Sequence, residues 1–229
     1  MRGCRLPATN CGLEWPMDRR RFIGGLTAGV AVFAVPGVFA QRLAQTARTT
    51  EGPFYPDRLP LDTDNDLLII NDAITPAVGE VTRLGGRVLT ASGEPVRGAL
   101  VEIWQTDSGG SYIHTGGRQP SGLDRHFQGY GRFETDSRGR YAFRTIKPVE
   151  YTLRGMHRAP HIHVAIGRAG RRMLTTQMLI KGHPANRRDG VTRRMSPAAL
   201  DSILVEFKPL AGSTAGELVA AFDIVLAKG

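Results

Sequence analysis

Cysteine is almost missing from this sequence of 229 residues: Cys4 and Cys11 are its two thiols. Both precede a segment with the pattern of an export signal, so the mature chain would have no disulfide and no thiolate metal site. Any metal must then be held by oxygen and nitrogen. Internal repeats and low-complexity stretches are absent too. So are an RNA-binding aromatic signature and any nucleic-acid recognition motif, and the arginines are scattered. The formal charge of +9 therefore implies no nucleic-acid partner; a basic surface suits small anionic substrates. What remains is an ordinary globular composition, 41% hydrophobic and 22% charged, and a length that fits one domain with additions.

Residues 1–40 read as an extension and a signal rather than as fold. Arg19-Arg20-Arg21-Phe22-Ile23 followed by the uncharged run GGLTAGVAVFAVPGVFA gives a basic segment, an apolar segment and small residues before a cut at Val38-Phe39-Ala40. The arginines resemble a twin-arginine export signal, which implies a periplasmic or extracellular protein that contacts a membrane only through that signal. A retained anchor is the alternative, since residues 22–40 are uncharged. Met17 stands just ahead of the signal and offers a second start. Removing residues 1–40 leaves 25 basic against 19 acidic residues, so the chain stays basic.

Residues 41–82 read as an irregular arm, with TEGPFYP at Thr50 to Pro56 rich in glycine and proline. Residues 83–229 read as β. A strand runs from Leu84 to Ala91, and another from Arg97 to Gln105 in which Ala99, Val101 and Ile103 alternate with Leu100, Glu102 and Trp104. A glycine-rich loop follows from Ser108 to Gly131, long enough to be functional. Strands then flank a turn at Asp136 to Gly139, and a Lys147-Pro148 break precedes a short strand carrying Tyr151. Ser196 as N-cap and Pro197 at the first helical position predict one helix to about Leu204. Glu217 to Leu226 predicts a last strand. Short strands, turn signals and one short helix make this an all-β protein, a β-sandwich with long loops.

The stretch YTLRGMHRAPHIH, Tyr151 to His163, carries the chemistry. Side chains alternate along a strand, so His161 and His163 share a face while Ile162, Val164 and Ile166 take the other. Two imidazoles on one face can hold a metal, and zinc, copper, iron and nickel all accept neutral imidazole. The spacing alone does not choose among them.

TEGPFYP, GEPVRGALVEIWQTDSGGSYIH, QGYGRFETDSRGRYAFRTIKP, Tyr151, Arg158 with HIH, and TTQMLIKG at Thr175 to Gly182 together resemble the intradiol ring-cleavage dioxygenases, the protocatechuate 3,4-dioxygenase and catechol 1,2-dioxygenase group. The resemblance spans residues 50–182 in order. It implies a prealbumin-like sandwich around a non-haem ferric ion, Fe(III), held by Tyr112, Tyr151, His161 and His163. A phenolate is a hard anionic donor that a trivalent cation stabilises, which agrees with iron(III) over zinc. The resemblance further implies that a catechol and O2 are the substrates and that Tyr151 leaves the metal to take a substrate proton. Arg158 would stabilise negative charge, Gln177 would position the substrate, and the ring would open between its hydroxylated carbons to a cis,cis-muconate-type diacid.

Thr152 and Leu153 depart from the proline and large aromatic usual in protocatechuate enzymes, so the pocket wall differs. His114, His126, His157 and His183 read as surface or supporting residues. Two rivals remain at this stage: a non-catalytic prealbumin-like binding module, and a zinc or copper hydrolase, which needs a carboxylate near HIH that the sequence does not display. Assembly is open, a homo-oligomer included.

Overall fold

Alternating side chains in short segments need two layers to cover one apolar face each, and two five-stranded sheets supply them. The structure is a computed structural model that describes residues 42–70, 75–153 and 155–227. The expected export signal and its cleavage site lie outside the described residues. In chain order the strands are β1 (Val81–Thr90), β2 (Leu100–Trp104), β3 (Tyr130–Glu134), β4 (Arg140–Ile146), β5 (Tyr151–Leu153), β6 (Met156–Arg158), β7 (His161–Arg168), β8 (Arg171–Ile180), β9 (Leu204–Val205), β10 (Phe207–Pro209), β11 (Leu218–Ala221) and β12 (Ile224–Leu226).

One sheet is built on β1, which pairs antiparallel with β4 and parallel with β11 and β12, and β10 lies beside β11. The other runs β3-β2-β7-β8-β9. A separate hairpin joins β5 to β6. The main core lies between the sheets, where Leu84 and Val88 of β1 meet Val101 and Ile103 of β2 and Ile162, Val164 and Ile166 of β7, all of them buried. Fully burying each such side chain contributes about 1.5–3 kcal/mol. That row fixes the register of β7, because a slip by one residue would turn its histidines into the core.

The sandwich matches the expectation, with three local differences. The helix, α1, spans Pro197–Asp201 and stops short of Leu204. Ser196 caps it as expected, accepting from the Ala199 amide at 3.3 Å. Beyond it, Ile203 is buried and Leu204–Val205 pair in parallel with β8, so sheet pairing overrides the helical pattern. The expected last strand is split into β11 and β12 at Phe222-Asp223. Gly86 of β1 admits the Phe222 carbonyl there; a Cβ at that position would lie 2.0 Å from its oxygen. The Tyr141 hydroxyl donates to the same carbonyl at 2.6 Å. Finally, β6 and β10 were not expected as strands.

The arm carries no strand within residues 42–70 and 75–80, yet it is bonded to the sandwich along its length. Thr46 donates to the Val225 carbonyl and Thr49 to the Thr175 carbonyl, each at 3.0 Å. Among the described residues no helix is long and apolar enough to cross a membrane.

Candidate metal centre

The outer face of the second sheet carries the polar residues that the core excludes. Trp104 of β2, His163 of β7 and Gln177 of β8 are direct register partners across three adjacent strands. His161 lies two residues before His163 on the same face, and both are about 2% exposed. The Trp104 indole stacks on the His163 ring at 4.8 Å and 7° between planes.

Tyr112 reaches this face from the long loop. Asp107 shapes that loop: its Oδ1 accepts from the Gly109 and Ser111 amides at 2.9 Å each, and its Oδ2 from the Asp124 amide at 2.8 Å. The Tyr112 amide donates to Gly117 at 3.0 Å. Tyr151 arrives from the β5–β6 hairpin, where its register partner is Arg158. Gln119 Nε2 ties that hairpin to the loop through the Thr152 carbonyl at 3.1 Å.

These separate elements converge. The Tyr112 hydroxyl lies 3.1 Å from His161 Nε2 and 3.2 Å from His163 Nε2, and the two Nε2 atoms lie 3.2 Å apart. The Tyr151 hydroxyl donates to that of Tyr112 at 3.4 Å. The ring nitrogens face inward for a reason visible at His161: its Nδ1–H donates to the Ala159 carbonyl at 2.6 Å, which leaves the Nε2 lone pair toward the phenols.

Such spacing fits a metal ion. Donors about 2.0–2.1 Å from one first-row ion, at roughly right angles, stand about 3 Å apart. Electrostatics agree. Burial, then the Arg158 charge, lowers the His161 pKa to about 3, and the His163 imidazole is held well below the ordinary histidine range by burial and by the charges of His161 and Arg158. Both imidazoles are therefore neutral, the ligating form. Burial raises the phenol of Tyr112, as does its neighbour Tyr151, and burial raises Tyr151 as well. A cation of high charge would reverse those phenol shifts. Among the described residues no three His, Cys, Asp or Glu side chains gather around a metal position, so a metal held by His161 and His163 would draw its further donors from the phenols. The two phenols make this site what it is.

Arg158 and Gln177 meet each other beside this cluster. Arg158 Nη2 donates to Gln177 Oε1 at 2.6 Å, and Gln177 Nε2 donates to the Thr50 carbonyl at 2.9 Å. The remaining histidines make their contacts away from the four donors. The Nδ1 atoms of His114 and His183 accept from the Gly116 and Ala185 amides and so cap short turns. His157 contacts Thr152 at 3.2 Å, and His126 is exposed.

Sequence reasoning missed three supports. Asp189, wholly buried, pairs with Arg158 Nε at 2.8 Å. Glu102 accepts from the Tyr55 and Tyr130 hydroxyls at 2.8 and 2.6 Å and pairs with Arg172 at 3.1 Å. The third is the heptad TEGPFYP, which forms a strap across the site. Gly52, at φ +73°, comes so close to His163 that a Cβ there would lie 3.3 Å from its ring. Phe54 packs on Tyr112 at 5.1 Å, and Tyr55 meets Trp104 edge-on at 5.0 Å. The aspartate of Asp-Ser-Gly-Gly was a readable turn signal for the loop; nothing in the sequence pattern marks Asp189 or Glu102.

A family model described as "Dioxygenase" matches residues 50–228. The protocatechuate 3,4-dioxygenase beta chain of Burkholderia cepacia is 36% identical over 191 residues, covering 80% of each chain. This chain belongs to the intradiol ring-cleavage dioxygenase family. Catechol 1,2-dioxygenase 2 of Acinetobacter lwoffii is 33% identical over 153 residues, 61% of this chain and 52% of that one; the chain thus spans about half the length of that relative. Among solved structures, the dioxygenase domain of a carbohydrate-binding fusion from Streptomyces sp. SirexAA-E is similar at TM-score 0.60 and 28% identity, covering 81% of this chain and 99% of that one. Catechol 1,2-dioxygenase from Acinetobacter sp. ADP1 is similar at TM-score 0.61 and 26% identity, covering 79% and 62%. The fold of these solved dioxygenases therefore extends over about four fifths of this chain.

Proposed function

We propose that this chain is an Fe(III)-dependent intradiol dioxygenase that opens a catechol-type ring between its two hydroxylated carbons and yields a cis,cis-muconate-type diacid. The observation that carries this reading is the convergence of Tyr112, Tyr151, His161 and His163, with no Cys, Asp or Glu among the described residues joining the two imidazoles in a three-residue group. Bound there, a ferric ion would supply Lewis acidity and a template for the substrate. Both atoms of O2 end in the product, so no external reductant is required.

The chain's own residues divide the remaining work. Tyr112, His161 and His163 are 1–2% exposed, whereas Tyr151 is 7% exposed, sits on a hairpin outside the sheets and makes the longest contact of the four. Tyr151 is therefore the donor able to turn away, and its Oη is where a proton from a catechol hydroxyl would be held. Arg158, directly across the hairpin, supplies fixed positive charge for substrate oxygen, and Gln177 keeps its guanidinium in place. The strap and Trp104 exclude water from the His163 side. A binding-module reading accounts for the strands but leaves two phenols and two imidazoles buried together without a role.

Oxygen uptake by ferric-loaded protein, measured against catechols with and without ring carboxylates, tests the reading. Consumption of O2 in step with ring-opened product is expected for at least one of them. No uptake with any catechol, in protein shown to contain ferric ion, would overturn it.

A further inference from the structure

The roles assigned above leave the charge of Asp189 unused. Its Oδ2 accepts from Arg158 Nε at 2.8 Å and from the Ala159 amide at 2.9 Å. Its Oδ1 accepts from the Val191 and Thr192 amides at 2.8 and 3.3 Å. Burying a carboxylate is costly unless it is paired, and a neutral side chain could cap the Val191 turn without that cost. The charge is needed where the guanidinium is.

Arg158 is a rigid planar fork with five N–H donors. Asp189 holds it at Nε and Gln177 at Nη2, and Gln177 is itself anchored to the strap at Thr50. The fork is thus fixed at two points, while its register partner on the hairpin is Tyr151. The Ala159 residue gripped through its amide by Asp189 is the one whose carbonyl orients His161.

We propose that Asp189 is a positioning residue for the reaction: its carboxylate braces Arg158 against Gln177, so that the guanidinium edge unused by these contacts faces substrate oxygen beside Tyr151. The proposal rests on the dioxygenase reading above. Asp189 acts through Arg158 rather than by touching substrate.

Four ferric-loaded proteins test it: wild type, Asp189→Asn, Arg158→Gln and the double variant. For each, kcat and KM are measured by oxygen uptake with the catechol that wild type turns over best, alongside metal content and the visible tyrosinate band. Asp189→Asn should keep metal and band but lose about 10–100-fold in kcat/KM, as residues that orient a functional group do. The double variant should stay within about threefold of Arg158→Gln, since no guanidinium is left to brace. Asp189→Asn within twofold of wild type, or losses that multiply in the double variant, would overturn the proposal. Loss of metal and band in Asp189→Asn would place the residue's role at His161 and overturn it too.

A further measurement needs no variant. In metal-free wild type the Arg158 Nε–H should exchange with water at least about 100-fold more slowly than that of the exposed Arg58; equal rates would overturn the brace even if Asp189→Asn does not fold. Ferric wild type inactive with every catechol would instead overturn the reading on which the proposal rests.

Discussion

His161→Ala should give a folded protein that retains less than about a tenth of the wild-type ferric content after loading and desalting. Outer partners of metal ligands typically cost about 10–100-fold in affinity when removed, and a ligand itself should cost at least as much. The geometry makes His161 the best fixed of the four donors. Its Nδ1 is committed to Ala159 at 2.6 Å, and its Nε2 lies within 3.2 Å of both Tyr112 and His163. The main chain of β7 does not depend on the imidazole: residue 161 pairs with Leu179 through the backbone, and Ile162, Val164 and Ile166 keep their places in the core. Metal analysis beside circular dichroism separates the two effects. Full metal content in the variant would move the site elsewhere.

Tyr151→Phe removes one oxygen and leaves the ring, which meets Tyr112 edge-on at 5.6 Å. Its hydroxyl donates to Tyr112 at 3.4 Å, a weak contact, so stability should change by no more than about 1.5 kcal/mol. Turnover should fall about 10²–10⁴-fold, the usual contribution of a positioned proton acceptor. Measured with saturating catechol, the loss belongs in kcat. Unchanged turnover would remove Tyr151 from the mechanism and leave it a packing residue.

How far the sequence spoke depended on the range of the interaction. The face shared by His161 and His163, with Ile162, Val164 and Ile166 opposite, follows from a period of two and needs no partner to be read. Tyr112 was legible through its family resemblance, because nothing periodic in a glycine-rich loop says where a phenol points. Asp107 and Gly117 set that direction by turn bonds and close packing. The short strand at Tyr151 was readable after the Lys147-Pro148 break, but its partner β6 escaped notice, since three residues are too few to show alternation. The helix ended early because Ile203 and Val205 are worth more buried than coiled onward. Asp189 and Glu102 illustrate the opposite limit: one meets Arg158 from 31 positions away, the other meets Tyr55 from 47, and only folding brings such pairs together.

That two phenols and two imidazoles share one ferric ion is tested most directly by the visible spectrum of ferric-loaded wild-type protein. A red-brown colour from tyrosinate-to-iron(III) charge transfer, weakened in Tyr151→Phe, is the expected result. A colourless protein with one equivalent of ferric ion bound would contradict it.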